Sequence, residues 1–357
     1  MITKDREGDH QTLAEARFAA QRIAFGPIIF QCARLLRDFG VLQALRASRT
    51  GLTRDEIAAQ VDVPRYGLLV LLEGGLAADM LRAEGDKFML SKTGACVLMD
   101  DATRVNMDFV HDDCFQAMYY LEDSVREGKP SGLQKVFGDW DTIYPALSTL
   151  PEPARGSWLK WDHYYSDAAF PHALPIVFER PHRTLLDVGG NTGKWAIQCA
   201  RYSPDVSVTI LDLPGQAAAA RKNIDASGLQ GRIAVRSADF LDGFEGFPKG
   251  FDAIWMSQLL VCFGEEQVRR LLEQAAAAMG PQSRLYILET FWDRQDHEIS
   301  TYCLQASSLY FTCLANGYSR MYKSSDVVAM AEASGLRIER ITDTLGVCSS
   351  LVICSRR

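Results

Sequence analysis

A chain of 357 residues, 47% hydrophobic and 23% charged, can bury two ordinary cores and has no compositional sign of disorder. Its formal net charge of −7 argues against nucleic acid as a partner, because binding a phosphate backbone relies on clustered Lys and Arg. No apolar run reaches the roughly 18 residues needed to cross a bilayer, and the start MITKDREGDH lacks the basic-then-apolar order of a secretion signal; no membrane partner is expected, and the expected location is cytoplasmic.

Residues 11 to 47 read as one helix, with Ile28, Ile29, Cys32, Leu35 and Leu36, then Phe39, Val41, Leu42 and Leu45 at helical spacing. Such a stripe needs a partner. In GLTRDEIAAQVDV, Thr53 and Glu56 have the spacing of a capping box, so a short helix starts there and ends before Pro64. Residues 65 to 82 read as a second helix, and MLRAEGDKFMLSKTG as two short strands turning at Glu84-Gly85-Asp86. Helix, turn, helix and hairpin in that order make a winged helix. The second helix, YGLLVLLEGGLAADM, carries almost no basic side chain to meet phosphates or base edges, so burial against a second subunit suits residues 1–102 better than DNA reading.

Residues 103–180 read as a helical connector containing FVHDDCFQAMYYLEDS and WLKWDHYYSDAAF, where rings alternate with His and Asp that a dry core would not tolerate unpaired. From there the pattern changes. RTLLDVGG, VSVTILDL, RIAVRSADF, FDAIWMS and RLYILETF are apolar, β-branched runs suited to a parallel sheet buried on both faces, and helical stretches lie between them. LRIERITDT and SSLVICSRR close the chain as a terminal hairpin. The expected fold is therefore α/β, with a Rossmann-like domain over 181–357 preceded by an α-helical, winged-helix-like dimerisation domain. The nine cysteines form no C-x-x-C pair, which points away from zinc and disulfides.

In LLDVGGNTGKWAIQCA a strand ends in Asp187 and passes through Gly189, Gly190, Asn191 and Gly193 into a helix. Glycines here let a ligand approach the backbone. A dinucleotide fingerprint would read G-x-G-x-x-G; this loop reads G-G-N-T-G and sets a carboxylate two residues before the first glycine. Asp187 would repel a pyrophosphate, whereas the ammonium and sulfonium of S-adenosylmethionine suit it. Asp212, ending the next strand, is placed to accept ribose hydroxyls, and Asp239 with Phe240 to meet the adenine amino group and face.

With these features the chain resembles the plant-type O-methyltransferase family of class I S-adenosylmethionine-dependent enzymes, including its bacterial natural-product members, over nearly its whole length. The resemblance implies that DVGGNTG is the glycine motif, Asp212-Leu213 the ribose pair and Ala238-Asp239-Phe240 the adenine segment, with Met256, Ser257 and Gln258 beside the methionine and sulfonium. Tyr165 is placed with the cofactor set, and S-adenosylhomocysteine is the implied product. The same resemblance implies a homodimer and a small aromatic or polyketide-like acceptor, free or carried on a carrier protein.

The family's proton-accepting histidine is missing. Its segment resembles VLHDWSDE, but here reads LLVCFGEEQ, with Val261 at the histidine position. Glu289 matches an acid that orients that base, and a second such acid falls at Ser319. Replacement candidates are His111 with Asp112, and His163 with Tyr164 and Tyr165; His111 is favoured because a carboxylate follows it. Methyl transfer to oxygen or to a ring carbon, as in a phenolic aryl polyene-type precursor, stays open. So do a non-methylating reaction on the same fold (cyclisation, decarboxylation or a pericyclic step) and, from another class, a winged-helix ligand sensor.

Overall fold

The computed structural model describes residues 11–241 and 244–357. The expectation of no secretion signal rests on the first ten residues, which lie outside that range. The chain divides into two compact units at Val110/His111 rather than at 102/103 and 180/181. Residues 103–110 stay with the first unit because Met107 enters its core and Arg37 donates to Asp108 at 2.6 Å. The connector from His111 onward belongs to the same unit as the large sheet.

In the first unit the single helix expected over 11–47 is three, Leu13–Ala24, Gly26–Asp38 and Val41–Ala47. Pro27 at the start of the second lacks the N–H that continuity requires, and Gly40, at φ 79°, turns the chain into the third. The capping box at Thr53 forms, its backbone N–H donating to Glu56 Oε2 at 2.7 Å. It opens the helix Arg54–Ala58, and the helix Arg65–Ala77 follows. Strands β1 (Leu52–Thr53), β2 (Leu81–Glu84) and β3 (Lys87–Leu90) form an antiparallel sheet in the order β1-β3-β2. The two-residue β1 is too short for a sequence pattern to show.

Leu36, Leu42, Ile57, Leu68 and Leu72, all fully buried, fill this unit's core, each worth about 1.5–3 kcal/mol of transfer free energy. The helix Leu13–Ala24 has no buried residue, and Leu13, Phe18, Ile23, Phe25 and Ile28 stand 54–80% exposed.

The second unit is built on a seven-stranded sheet of β4 (Thr184–Val188), β5 (Ser207–Asp212), β6 (Ile233–Ser237), β7 (Ala253–Ser257), β8 (Arg284–Glu289), β9 (Leu336–Leu345) and β10 (Ser349–Arg356). Their order is β6-β5-β4-β7-β8-β10-β9; the first five are parallel, and β10 runs antiparallel to both neighbours. Alternate residues enter opposite cores. Ile254 and Met256 join one layer, while Ala253 and Trp255 join the other, as a sheet covered on both faces requires. The helices Lys194–Tyr202, Pro214–Ser227 and Glu265–Ala278 connect successive strands. Among the described residues no helix is long and apolar enough to cross a membrane.

Gly317 sits at φ 92°, and a Cβ there would lie 2.5 Å from the backbone of Lys129. Gly317→Ala should therefore cost about 2 kcal/mol or more, through positive φ and overpacking together. Gly228 has φ 71° but open space around it, so Gly228→Ala should cost only about 1 kcal/mol. Urea unfolding checks the order; equal losses would mean that the backbone at 128–129 yields.

Candidate active site

A polar ligand has one place to meet this sheet, the carboxyl ends of its parallel strands, where β4, β5 and β7 feed loops into a single cavity. Leaving β4, Gly189 and Gly193 adopt φ 73° and 80°, and Asn191 between them 49°. A Cβ on Gly190 would come within 2.7 Å of both Asp187 Oδ2 and Ile210 Cγ2, so only glycine lets the loop fold back over the strand end.

Asp212 anchors that loop. Its Oδ2 accepts from Asn191 N–H at 2.6 Å and its Oδ1 from Leu213 N–H at 2.7 Å. Asn191 Nδ2 in turn donates to Asp162 Oδ2 at 3.1 Å. Burial pushes the Asp212 carboxyl up to about 6 despite the two backbone donors. Burial also raises Asp162, against the pull of His163. Asp187, 2% exposed, is raised well above the usual range by burial and by Asp212, and its Oδ2 has no partner among the described residues.

Beyond β7, Ser257 Oγ and Gln258 Nε2 are also buried without a partner among the described residues, and Gln258 holds φ 47°. Trp255 stacks on Trp195 at 3.9 Å behind them. β6 stops at Ser237, so Ala238, Asp239 and Phe240 lie past the strand rather than ending it. Asp239 Oδ1 accepts from Leu241 N–H at 2.9 Å, and Phe240 packs edge-on to Phe244.

The cavity wall holds His163, Asp187, Gly189, Gly190, Asn191, Asp212, Leu213, Asp239, Phe240, Ser257 and Gln258 from the sequence-derived set. Of the described residues it does not include His111, Asp112, Tyr165, Gly193, Ala238, Met256 or Glu289. Of the two histidines, His163 lies in the cavity wall and His111 does not. His111 lies on the π-helical turn Val110–Cys114, and Asp112, expected to orient it, accepts from Ser157 Oγ at 2.5 Å. His163 Nδ1 stands 3.3 Å from Asp167, which is also bound by Lys194 Nζ at 2.5 Å.

Glu289 is buried behind the wall, where its Oε1 accepts from Leu260 N–H at 2.8 Å. Burial lifts it to about 8, the backbone donors of Leu260, Val261 and Leu259 holding it lower than burial alone would. It props the turn Leu260–Cys262 that presents Val261 and Cys262 to the cavity. Asn316 Nδ2 ties Ser319 Oγ, at 2.9 Å, to Cys262 O, at 2.8 Å, so an amide braces this turn where a second acid was expected. Asp162, Lys194 and Tyr144 are wall residues that sequence reasoning missed. Among the described residues, no group of three or more His, Cys, Asp and Glu could hold a metal ion.

A cofactor carrying an ammonium and a sulfonium fits these residues: the unpartnered Asp187 Oδ2 and the raised Asp212 and Asp162 call for positive charge, and the tight glycine loop leaves backbone exposed to it. Parallel sheet, strand-end acids and terminal hairpin together define a class I S-adenosylmethionine-dependent methyltransferase. Residues 118–337 match the O-methyltransferase domain, and residues 17–88 a Dimerisation2-like domain. The chain belongs to the O-methyltransferase domain family.

An L-tyrosine C(3)-methyltransferase of Streptomyces lavendulae is 26% identical over 295 residues, 82% of this chain and 79% of that protein. A phenazine-1-carboxylate N-methyltransferase of Pseudomonas aeruginosa is 24% identical over 329 residues, 92% of this chain and 83% of its own. The solved structure of the S-adenosylmethionine-dependent methyltransferase SibL in its apo form superposes with a TM-score of 0.72 at 25% identity, covering 95% of this chain and 98% of that one.

The raised acids set a pH dependence. Below about 6 the free protein holds a proton on Asp212 that a bound cation would expel. Affinity for S-adenosylmethionine should therefore climb as pH rises through about 6 and level off above it, with Asp212→Asn flattening the climb. Calorimetry in buffers of different ionisation enthalpy detects the released proton; a flat profile in the unmodified protein would remove the charge coupling.

Proposed function

We propose that the chain methylates a hydroxyl or an electron-rich ring carbon of a small aromatic or polyketide-like metabolite, and that it works as a homodimer in the cytoplasm. The observation that carries this reading is the cavity itself, whose acidic strand-end half continues into a wall of Trp158, Trp161, Tyr310 and Phe311. When bound, S-adenosylmethionine supplies a methyl on a sulfonium whose leaving group is neutral. Alignment of the acceptor then accounts for much of the rate. Relatives that methylate carbon and nitrogen on a similar chain support an acceptor atom set by the pocket rather than by the fold.

In this reading Asp212 and Leu213 hold the ribose, Asp239, Ala238 and Phe240 flank the adenine, and Asp187, Asn191, Ser257 and Gln258 surround the methionine. Tyr165 supports this set from behind, its ring 5.7 Å from that of Trp161. Gly193 and Met256 shape the strand ends. With Val261 unable to take a proton, His163 is the proton acceptor, since it stands in the cavity wall with its Nδ1 3.3 Å from Asp167, which orients the ring.

Dimerisation uses the apolar side chains of Phe18, Ile23, Phe25 and Ile28, which stand 54–80% exposed. The match to a Dimerisation2-like domain supports it.

Incubation with methyl-labelled S-adenosylmethionine and a panel of phenols should yield S-adenosylhomocysteine and a labelled product, with the labelled atom located by mass spectrometry and NMR. Asp212→Ala should weaken both cofactor forms by roughly 1.5–3 kcal/mol. His163→Ala should lower kcat by on the order of 100-fold at near-normal cofactor affinity, with His111→Ala as the control. Full activity in the His163 variant would assign the rate to alignment alone. Light scattering should give a dimer that Ile23→Asp with Ile28→Asp reduces to a monomer; a native monomer at micromolar concentration would remove the interface.

A further inference from the structure

The acceptor half of the cavity has a charge pattern that narrows what can sit there. The wall carries five carboxylates, Asp162, Asp167, Asp187, Asp212 and Asp239, all set around the strand ends and the glycine loop. Among the described residues Lys194 is the one Lys or Arg in the wall, and it is already paired to Asp167 at 2.5 Å. Away from the strand ends the wall is mostly aromatic and aliphatic, with Trp158, Trp161, Tyr310, Phe311, Val261 and Met321. Trp158 donates its indole N–H to Tyr310 OH at 2.6 Å, so the two rings lock each other in place, and Trp161 meets the edge of Tyr310 at 5.6 Å. Ring faces carry negative potential. A carboxylate placed among them would lose its water, and Lys194 is already committed to Asp167.

One polar group in this half is only weakly partnered. The hydroxyl of Tyr144 is buried and meets no oxygen or nitrogen partner among the described residues; its side-chain contact is the Cys262 thiol, a weak hydrogen-bond partner. Its nearest polar neighbours include Cys262, on the turn where Val261 stands, and Tyr310. Cys262 directs its own Sγ–H to Gln258 O at 3.5 Å. A thiol satisfies a hydroxyl poorly, and leaving a buried hydroxyl unpaired costs about 1–3 kcal/mol, so at a cavity wall this group favours an oxygen of the acceptor.

We infer that the acceptor half takes an uncharged phenol, one whose carboxyl function is absent or masked as an ester, thioester or amide, and that the Tyr144 hydroxyl is the hydrogen-bond partner of the phenol oxygen. The inference rests on the methyltransferase reading and deepens it by naming the acceptor's charge state and its anchor. Tyr144 here positions the acceptor; proton removal is a separate task.

The test titrates three probes into the protein saturated with S-adenosylhomocysteine: 4-hydroxycinnamic acid, its methyl ester, and methyl cinnamate, which lacks the hydroxyl. The ester should bind at least about tenfold tighter than the acid, because only the acid brings a charge to be desolvated. It should bind about three- to tenfold tighter than methyl cinnamate, the range of one neutral hydrogen bond. In Tyr144→Phe the hydroxyl advantage should vanish while methyl cinnamate binds as before, which also shows that the wall is intact.

An acid that binds as well as its ester, a hydroxyl advantage that survives Tyr144→Phe, or no binding of any probe would each overturn the inference. Failure of S-adenosylhomocysteine itself to bind would strike the functional reading instead. The same titrations on the unliganded protein would then still read the cavity's preference.

Discussion

Carboxylates crowded against one another and away from water govern this molecule's chemistry. Asp187 and Asp212 lie on neighbouring strand ends, and Asp212 also feels Asp162, so each makes ionisation of the next more difficult. A protein rarely keeps such an arrangement for stability, because buried acids of one sign weaken the fold once they ionise. It is understandable as a receptor for positive charge. The backbone donors of Asn191 and Leu213 keep Asp212 oriented, while Asp187 retains an oxygen with no partner among the described residues.

The sheet makes this crowding affordable by leaving polar groups nowhere else to gather. Both faces of β4, β5, β7 and β8 are covered, with successive residues committed to opposite cores, so ligand chemistry is confined to the strand ends. The connector then supplies what the sheet lacks. Trp158, Trp161 and His163 project from the helix Ala154–Ser166 into the cavity, and Asp162 from the same helix reaches Asn191 of the glycine loop. One helix therefore touches both halves of the site.

Much of this was legible in the sequence because it is encoded locally. Apolar, β-branched runs ending in Asp187 and Asp212 announce strands and strand-end acids, and G-G-N-T-G announces the turn between them. What was not legible depends on tertiary placement. Asp162 and Tyr144 reach the cavity from segments whose pattern does not record which side chain faces it. His111 was favoured because a carboxylate follows it in sequence, but adjacent residues on a helical turn point in different directions, and Asp112 turns to Ser157. The division of 11–47 into three helices was hidden because apolar spacing continues across Pro27 and Gly40, whose backbone constraints override it.

Glu289 has a consequence for how this site can change over evolutionary time. It supports the turn Leu260–Cys262 through backbone N–H groups, not through the side chain at 261, and Asn316 braces the far end through the Cys262 carbonyl. The scaffold of the turn is thereby independent of its cargo. Position 261 works as an interchangeable seat: its side chain can be exchanged without rebuilding the loop that displays it. Acceptor chemistry can then drift by single substitutions while the cofactor end stays fixed.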